Sequence, residues 1–132
     1  FIEPKYLNNE TVLDHEWGHT RQFQLLGIGD YFNMIALPSM ITNLVARKKE
    51  NVDKNYYKYP WEVTADILGG VNREGINQIH KNIGVSYLVG AELLSNTVVK
   101  PIMLPLYTTA AAILDGVIPG LGTTLLGVMY ST

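Results

Sequence analysis

Apolar positions in the first third of the chain recur at helical spacing, whereas those in the last third merge into long apolar runs. Val12, His15, His19 and Phe23 fall along one side of a helix predicted over residues 11–26. Asn8 and Asn9 stand where N-caps belong, Glu10 and Asp14 occupy the acid-favoured first turns, and Gly27 with Gly29 stops the helix. Asp30 can cap a second apolar segment over 31–45, kinked at Pro38. Residues 46–58 are charged and polar and read as an exposed connection. Pro60 marks the start of a helix over about 60–68 that ends at Gly69-Gly70. From Val85 onward, Pro101, Pro105, Pro119 and the glycines break the apolar runs into two or three short, mostly buried helices. The stretch 1–7 is a short strand or an extended arm. The expected fold is therefore mainly α: one compact helical domain over 1–132, with little or no β-sheet and an apolar helical C-terminal part at 83–132.

Charge sharpens that division. Of twenty-two charged residues, only Glu92, Lys100 and Asp115 lie beyond residue 82. The formal net charge is −2, and the longest basic cluster is Arg47-Lys48-Lys49, which argues against a nucleic-acid partner. With no cysteine in the chain, disulfides and thiolate ligands are excluded, and His and carboxylates remain as the strong zinc donors. The chain begins at Phe1 without a basic-then-apolar leader and reads as a piece of a longer polypeptide.

The chemistry-bearing segment is His15-Glu16-Trp17-Gly18-His19. Two histidines four apart share a helix face, so both imidazoles reach one metal ion, and Glu16 beside them can deprotonate a metal-bound water. This HExxH pattern supplies two ligands only. No histidine occurs between His19 and His80, which excludes a third histidine shortly after the second. The other common solution is a glutamate from a second helix with an acidic residue one turn on, and Glu62 and Asp66 offer it. Glu62 completes a His/His/Glu zinc site, and Asp66 accepts the second ring N–H of a ligand histidine, His15 by preference. The bland alternatives are a chance motif and a solvated acidic face; each pair of residues makes the other more specific.

The run Leu13-Asp14-His15-Glu16-Trp17-Gly18-His19-Thr20 with Gln22, then Gly27, Tyr31 and Ala36-Leu37-Pro38-Ser39, carries a resemblance. So do Tyr56-Tyr57, Pro60-Trp61-Glu62, Ala65-Asp66 and Leu68-Gly69-Gly70-Val71. Over about residues 10–72 the chain resembles zincin-like metallopeptidase domains found at the C-termini of bacterial RHS/YD-repeat polymorphic toxins. More broadly it is similar to gluzincins, whose HExxH helix and ExxxD helix supply two His and one Glu. The resemblance implies a zinc peptidase effector, secreted or delivered into a target cell as the tip of a larger protein. It also implies a protein or peptide substrate and a cognate immunity protein. One departure stands out: about fourteen residues precede His15, where a standard zincin places the sheet that holds its substrate.

In a peptidase of this kind a further donor stabilises the oxyanion, and Tyr56, Tyr57, Tyr59, Arg73 and His80 are open candidates. Trp17 and Trp61 are expected to pack behind the site. The apolar tail 83–132 is read first as the core that covers the metal helices, and second as a membrane-contacting hairpin. Its uncharged stretches, 101–114 and 116–132, both fall short of the ~20 apolar residues that span a bilayer. The runner-up function is accordingly a membrane-active toxin with a structural metal, and the third is a non-catalytic interaction module.

Overall fold

A computed structural model of the protein describes residues 9–47 and 55–131, and among these every regular element is helical. Helix α1 spans Glu10–Leu26. Asn9 caps it by accepting a hydrogen bond from the Val12 amide at 3.2 Å, a contribution of about 1 kcal/mol. Gly27, at φ 80°, ends it in a conformation that glycine adopts without cost. The expected strand or arm at 1–7 lies outside the described residues, as does the centre of the polar connection at 48–54.

Helix α2 (Ile28–Tyr31), a π-helical turn (Phe32–Ala36) and α3 (Leu37–Arg47) follow as one run. Pro38 lacks the amide that would pair with the Met34 carbonyl four residues back. The Tyr87 hydroxyl donates to that carbonyl instead, at 2.7 Å. Asp30 does not cap this segment. It lies inside α2, buried, with its Oδ1 3.1 Å from Lys100 Nζ.

A 3-10 turn (Tyr56–Lys58) leads into α4 (Pro60–Gly69), which Pro60 starts and Gly70 closes as expected. Helices α1 and α4 run antiparallel and nearly touch. A Cβ on Gly18 would meet the Ala65 carbonyl oxygen at 1.7 Å, and a turn earlier one on Gly69 would meet that of Asp14 at 1.9 Å. Small residues at these points let the two backbones close, which aligns His15 with Asp66 and His19 with Glu62 across the seam.

The C-terminal part departs from expectation. Helix α5 (Gln78–Leu94), a second π-helical turn (Ser95–Val99) and α6 (Lys100–Val117) form one run of 40 residues, about 60 Å long. It passes through Pro101, which follows the π-helical turn, and Pro105, inside α6. Helix α7 (Leu121–Tyr130) folds back along α6. The apolar part is helical, but it is not the buried core: only 11% of the most apolar window of the long helix is buried.

The interior is polar instead. Among the described residues, nine polar or charged side chains are buried against six hydrophobic ones. In α1 the buried positions are His15, Gly18 and Gln22, not Val12 and Phe23, because α4 presents polar partners at the seam.

Candidate metal centre

Helix α4 contributes five consecutive buried residues, from Glu62 through Asp66. Burying two carboxylates in one turn is unfavourable unless each is paired. Here both are. Glu62, with no exposed surface, places Oε1 3.1 Å from His15 Nε2 and 3.2 Å from His19 Nε2, while Ser39 from α3 donates to its Oε2 at 2.9 Å. Asp66 Oδ1 lies 2.7 Å from His15 Nδ1, and Arg73 donates to both Asp66 oxygens at 2.7 and 3.1 Å.

The hydrogen bonds determine which ring nitrogens face the centre. His19 Nδ1 lies 2.7 Å from Gln22 Oε1, and the orientation of that amide is set because its nitrogen donates to the Trp61 carbonyl and the Thr64 hydroxyl. His19 Nδ1 therefore carries the proton, as does His15 Nδ1 against Asp66. In the neutral rings both Nε2 lone pairs then point at a carboxylate oxygen, an arrangement of three acceptors that only a cation relieves. The donor atoms of His15, His19 and Glu62 all lie within 4.8 Å of one another. This buried group can hold a metal ion.

A proton can also serve as the cation. Burial pulls the His15 imidazole down, but its bonds to Asp66 and Glu62 overcome that and push it up to about 9. Burial would raise Glu62, yet the two histidines hold its carboxyl at about 2. Asp66 is likewise held below the usual carboxylate range: burial opposes this, and His15 and Arg73 outweigh it.

Glu16 and His19 line a cavity of about 420 Å³ together with Tyr31, Ser39, Asn43 and Tyr56. Thus the expected base and one expected ligand open onto the same space. Burial, with Glu16 and Glu62 adding, pushes the Tyr31 hydroxyl up to about 12. Burial and then Glu62 push Tyr56 to about 12 as well, against hydrogen bonds with Ser39 and Asn43 that pull the other way. Both remain O–H donors at neutral pH.

The other sequence-derived oxyanion candidates sit elsewhere. The Arg73 guanidinium lies 3.5 Å from the Tyr57 ring centroid while bonding Asp66, and Tyr57 meets His15 edge-on, so both brace His15 from behind. Tyr59 stacks on Trp61, and His80 closes the capping box of α5 with Asn77. Trp61 packs as expected, between Tyr59 and Tyr87 with its Nε1 donating to Thr42. Trp17 does not: it is 51% exposed, beneath Arg21.

Three residues at the centre had no role assigned from sequence: Gln22, Tyr31 and Ser39. Gln22, three positions after His19, was within reach of a sequence argument, since i and i+3 share a helix face. Tyr31 and Ser39 come from a separate helical run whose docking no local pattern predicts. No protein-family model, curated protein or solved structure matches this chain, so the reading of the centre rests on its own geometry.

Proposed function

We propose that the protein is a zinc-dependent peptidase. The observation that carries this reading is the convergence of His15 Nε2, His19 Nε2 and Glu62 Oε1 beside a cavity that Glu16 also lines. Two imidazoles and a carboxylate without thiolates suit zinc among the common divalent ions. Bound there, zinc would supply Lewis acidity, polarising a scissile carbonyl and making water acidic near neutral pH.

The remaining work falls to the chain's own side chains. Glu16 takes the proton of the attacking water and returns it to the leaving amine. Tyr31 and Tyr56, protonated donors on the cavity wall, face the region where charge develops on the carbonyl oxygen. Asp66, braced by Arg73, and Gln22 hold the two imidazoles in the ligating tautomer. The resemblance to RHS toxin domains extends the proposal to an effector delivered into a target cell and neutralised by a cognate immunity protein.

Glu16→Gln is the discriminating variant, because it removes the base and keeps every metal donor. The variant is expected to retain zinc at the wild-type stoichiometry while losing peptidase activity and growth arrest in cells that express it. Undiminished toxicity with full metal content would overturn the catalytic reading and favour a structural metal.

A further inference from the structure

We propose that the α6–α7 hairpin inserts into a lipid bilayer, entering from and returning to one side, with the metal-bearing body left outside. The inference stands apart from the peptidase reading.

Its first support is the distribution of apolar surface around α6. Ile102, Leu104, Leu106, Ile113, Leu114 and Val117 are all exposed, Ile102 at 69% and Val117 at 75%. At about 100° per residue, Leu104 and Leu114 lie about 160° and 120° around the helix from Ile102. Leu125 and Val128 are exposed on α7 as well. Ile102, Leu106, Ile113 and Val117 fall within about 60° of one another, Leu114 and Leu104 widen the arc to about 200°, and the remaining side holds prolines, threonines and small residues with no charge before Asp115. A hairpin that is apolar over more than half of one arm and uncharged on every side up to Asp115 suits an apolar solvent around it.

The second support is how the arms pack and what they do with polar groups. A Cβ on Gly122 would meet the Ala111 carbonyl oxygen at 1.8 Å, so small residues join the two helices while the large side chains point outward. The same close approach joins α1 to α4, and in lipid it holds two helices together without a hydrophobic driving force between them. Among 101–117 the single charged residue is Asp115, near the tip, and its carboxylate accepts from both the amide and the hydroxyl of Thr123. At the base Lys100 is paired inward with Asp30, the Tyr107 hydroxyl donates to Asn33, and that of Tyr130 donates to the Lys100 carbonyl at 2.7 Å. That last bond sets the C-terminal end of α7 beside the start of α6. Such tyrosines, apolar in body and polar at the tip, suit a membrane–water boundary.

Length agrees. Because Tyr107 bonds Asn33 and packs on Phe32 of the body, the part of α6 left to insert is Thr108–Val117, which rises about 15 Å, about half of the ~30 Å hydrocarbon core. The shortness of the uncharged stretches argues against a span. As paired arms they need not span: they give a one-sided insertion whose tip reaches about the middle of the bilayer.

Because the chain has no cysteine, single-cysteine variants report one position each. Ile113→Cys, Leu125→Cys and Glu10→Cys, in the full chain, would carry an environment-sensitive nitrobenzoxadiazole label. Each would be mixed with phosphatidylcholine–phosphatidylglycerol vesicles with and without doxyl-labelled acyl chains. The proposal expects a blue shift and doxyl quenching at 113 and 125, and neither at 10. It also expects the exposed-site pair Ile113→Lys/Val117→Lys to lose vesicle flotation while keeping its helical circular dichroism. A label at 113 that stays water-like with vesicles present would overturn it. So would shielding that appears without vesicles and grows with protein concentration, which would assign the surface to a second copy of the chain.

Discussion

Gln22 holds the ring of His19 in one tautomer: its Oε1 lies 2.7 Å from His19 Nδ1, and its amide nitrogen is committed to Trp61 and Thr64. The lone pair that His19 Nε2 turns toward Glu62 thus depends on a residue outside the His15–His19–Glu62 group. Substituting Gln22 by Leu leaves all three donors in place and frees the imidazole. A loss of about 10–100-fold in zinc affinity is expected, read by chelator competition. Unchanged affinity would show that the ring needs no such support.

Proton bookkeeping gives a second expectation. His15 titrates at about 9 in the metal-free fold, above its ordinary 6.5. Its contribution to stability is therefore complete below pH 6.5 and is lost as pH rises through 9. Glu62 is lowered from 4.5 to about 2, so its contribution is complete above pH 4.5 and is lost as pH falls through 2. Chelated protein should be most stable between about pH 4.5 and 6.5, measured by urea unfolding across pH. At pH 7.5 zinc uptake must displace the His15 proton, so its calorimetric enthalpy should vary with the ionisation enthalpy of the buffer.

The seam between α1 and α4 carries a stability prediction. A methyl at Gly18 would have to displace the Ala65 backbone, because the clash at 1.7 Å is with a carbonyl oxygen and not a mobile side chain. Gly18→Ala is expected to destabilise the fold by about 1–3 kcal/mol or more and to weaken zinc binding by parting His15 and His19 from Glu62. Gly90→Ala, with open space around its Cβ, is the control and should not destabilise it.

How much of this was legible in the sequence follows from the range of each interaction. The limits of α1 and α4 come from Asn9, Gly27, Pro60 and Gly70, whose effects are local. The juxtaposition of His15, His19, Glu62 and Asp66 was also readable, because HExxH and ExxxD each place two groups on one helix face. The approach of α3 was not, since Tyr31 and Ser39 lie on either side of a π-helical turn that shifts the helical register between them. Nor was the length of the C-terminal helix. Its prolines read as breaks, yet Pro101 falls just after a π-helical turn and Pro105 is carried within α6. Burial was misread for a related reason: apolar composition signals removal from water, and a protein core is only one way to achieve it.

The two tyrosines on the cavity wall can be separated from Tyr59 by kinetics. Tyr31→Phe and Tyr56→Phe are each expected to lower kcat, by up to about 10²-fold for the principal oxyanion donor, with zinc content unchanged. Tyr59→Phe, in a ring stacked on Trp61, should leave kcat near wild type. A drop confined to Tyr59 would relocate the oxyanion site.

The most direct test of the central claim is zinc-edge anomalous scattering from crystals of the purified chain. One zinc per chain is predicted, ligated by His15 Nε2, His19 Nε2 and a Glu62 oxygen, with Asp66 and Gln22 on the far ring nitrogens. A zinc-loaded crystal with no anomalous peak among these three residues, or with the peak on other ligands, would contradict it.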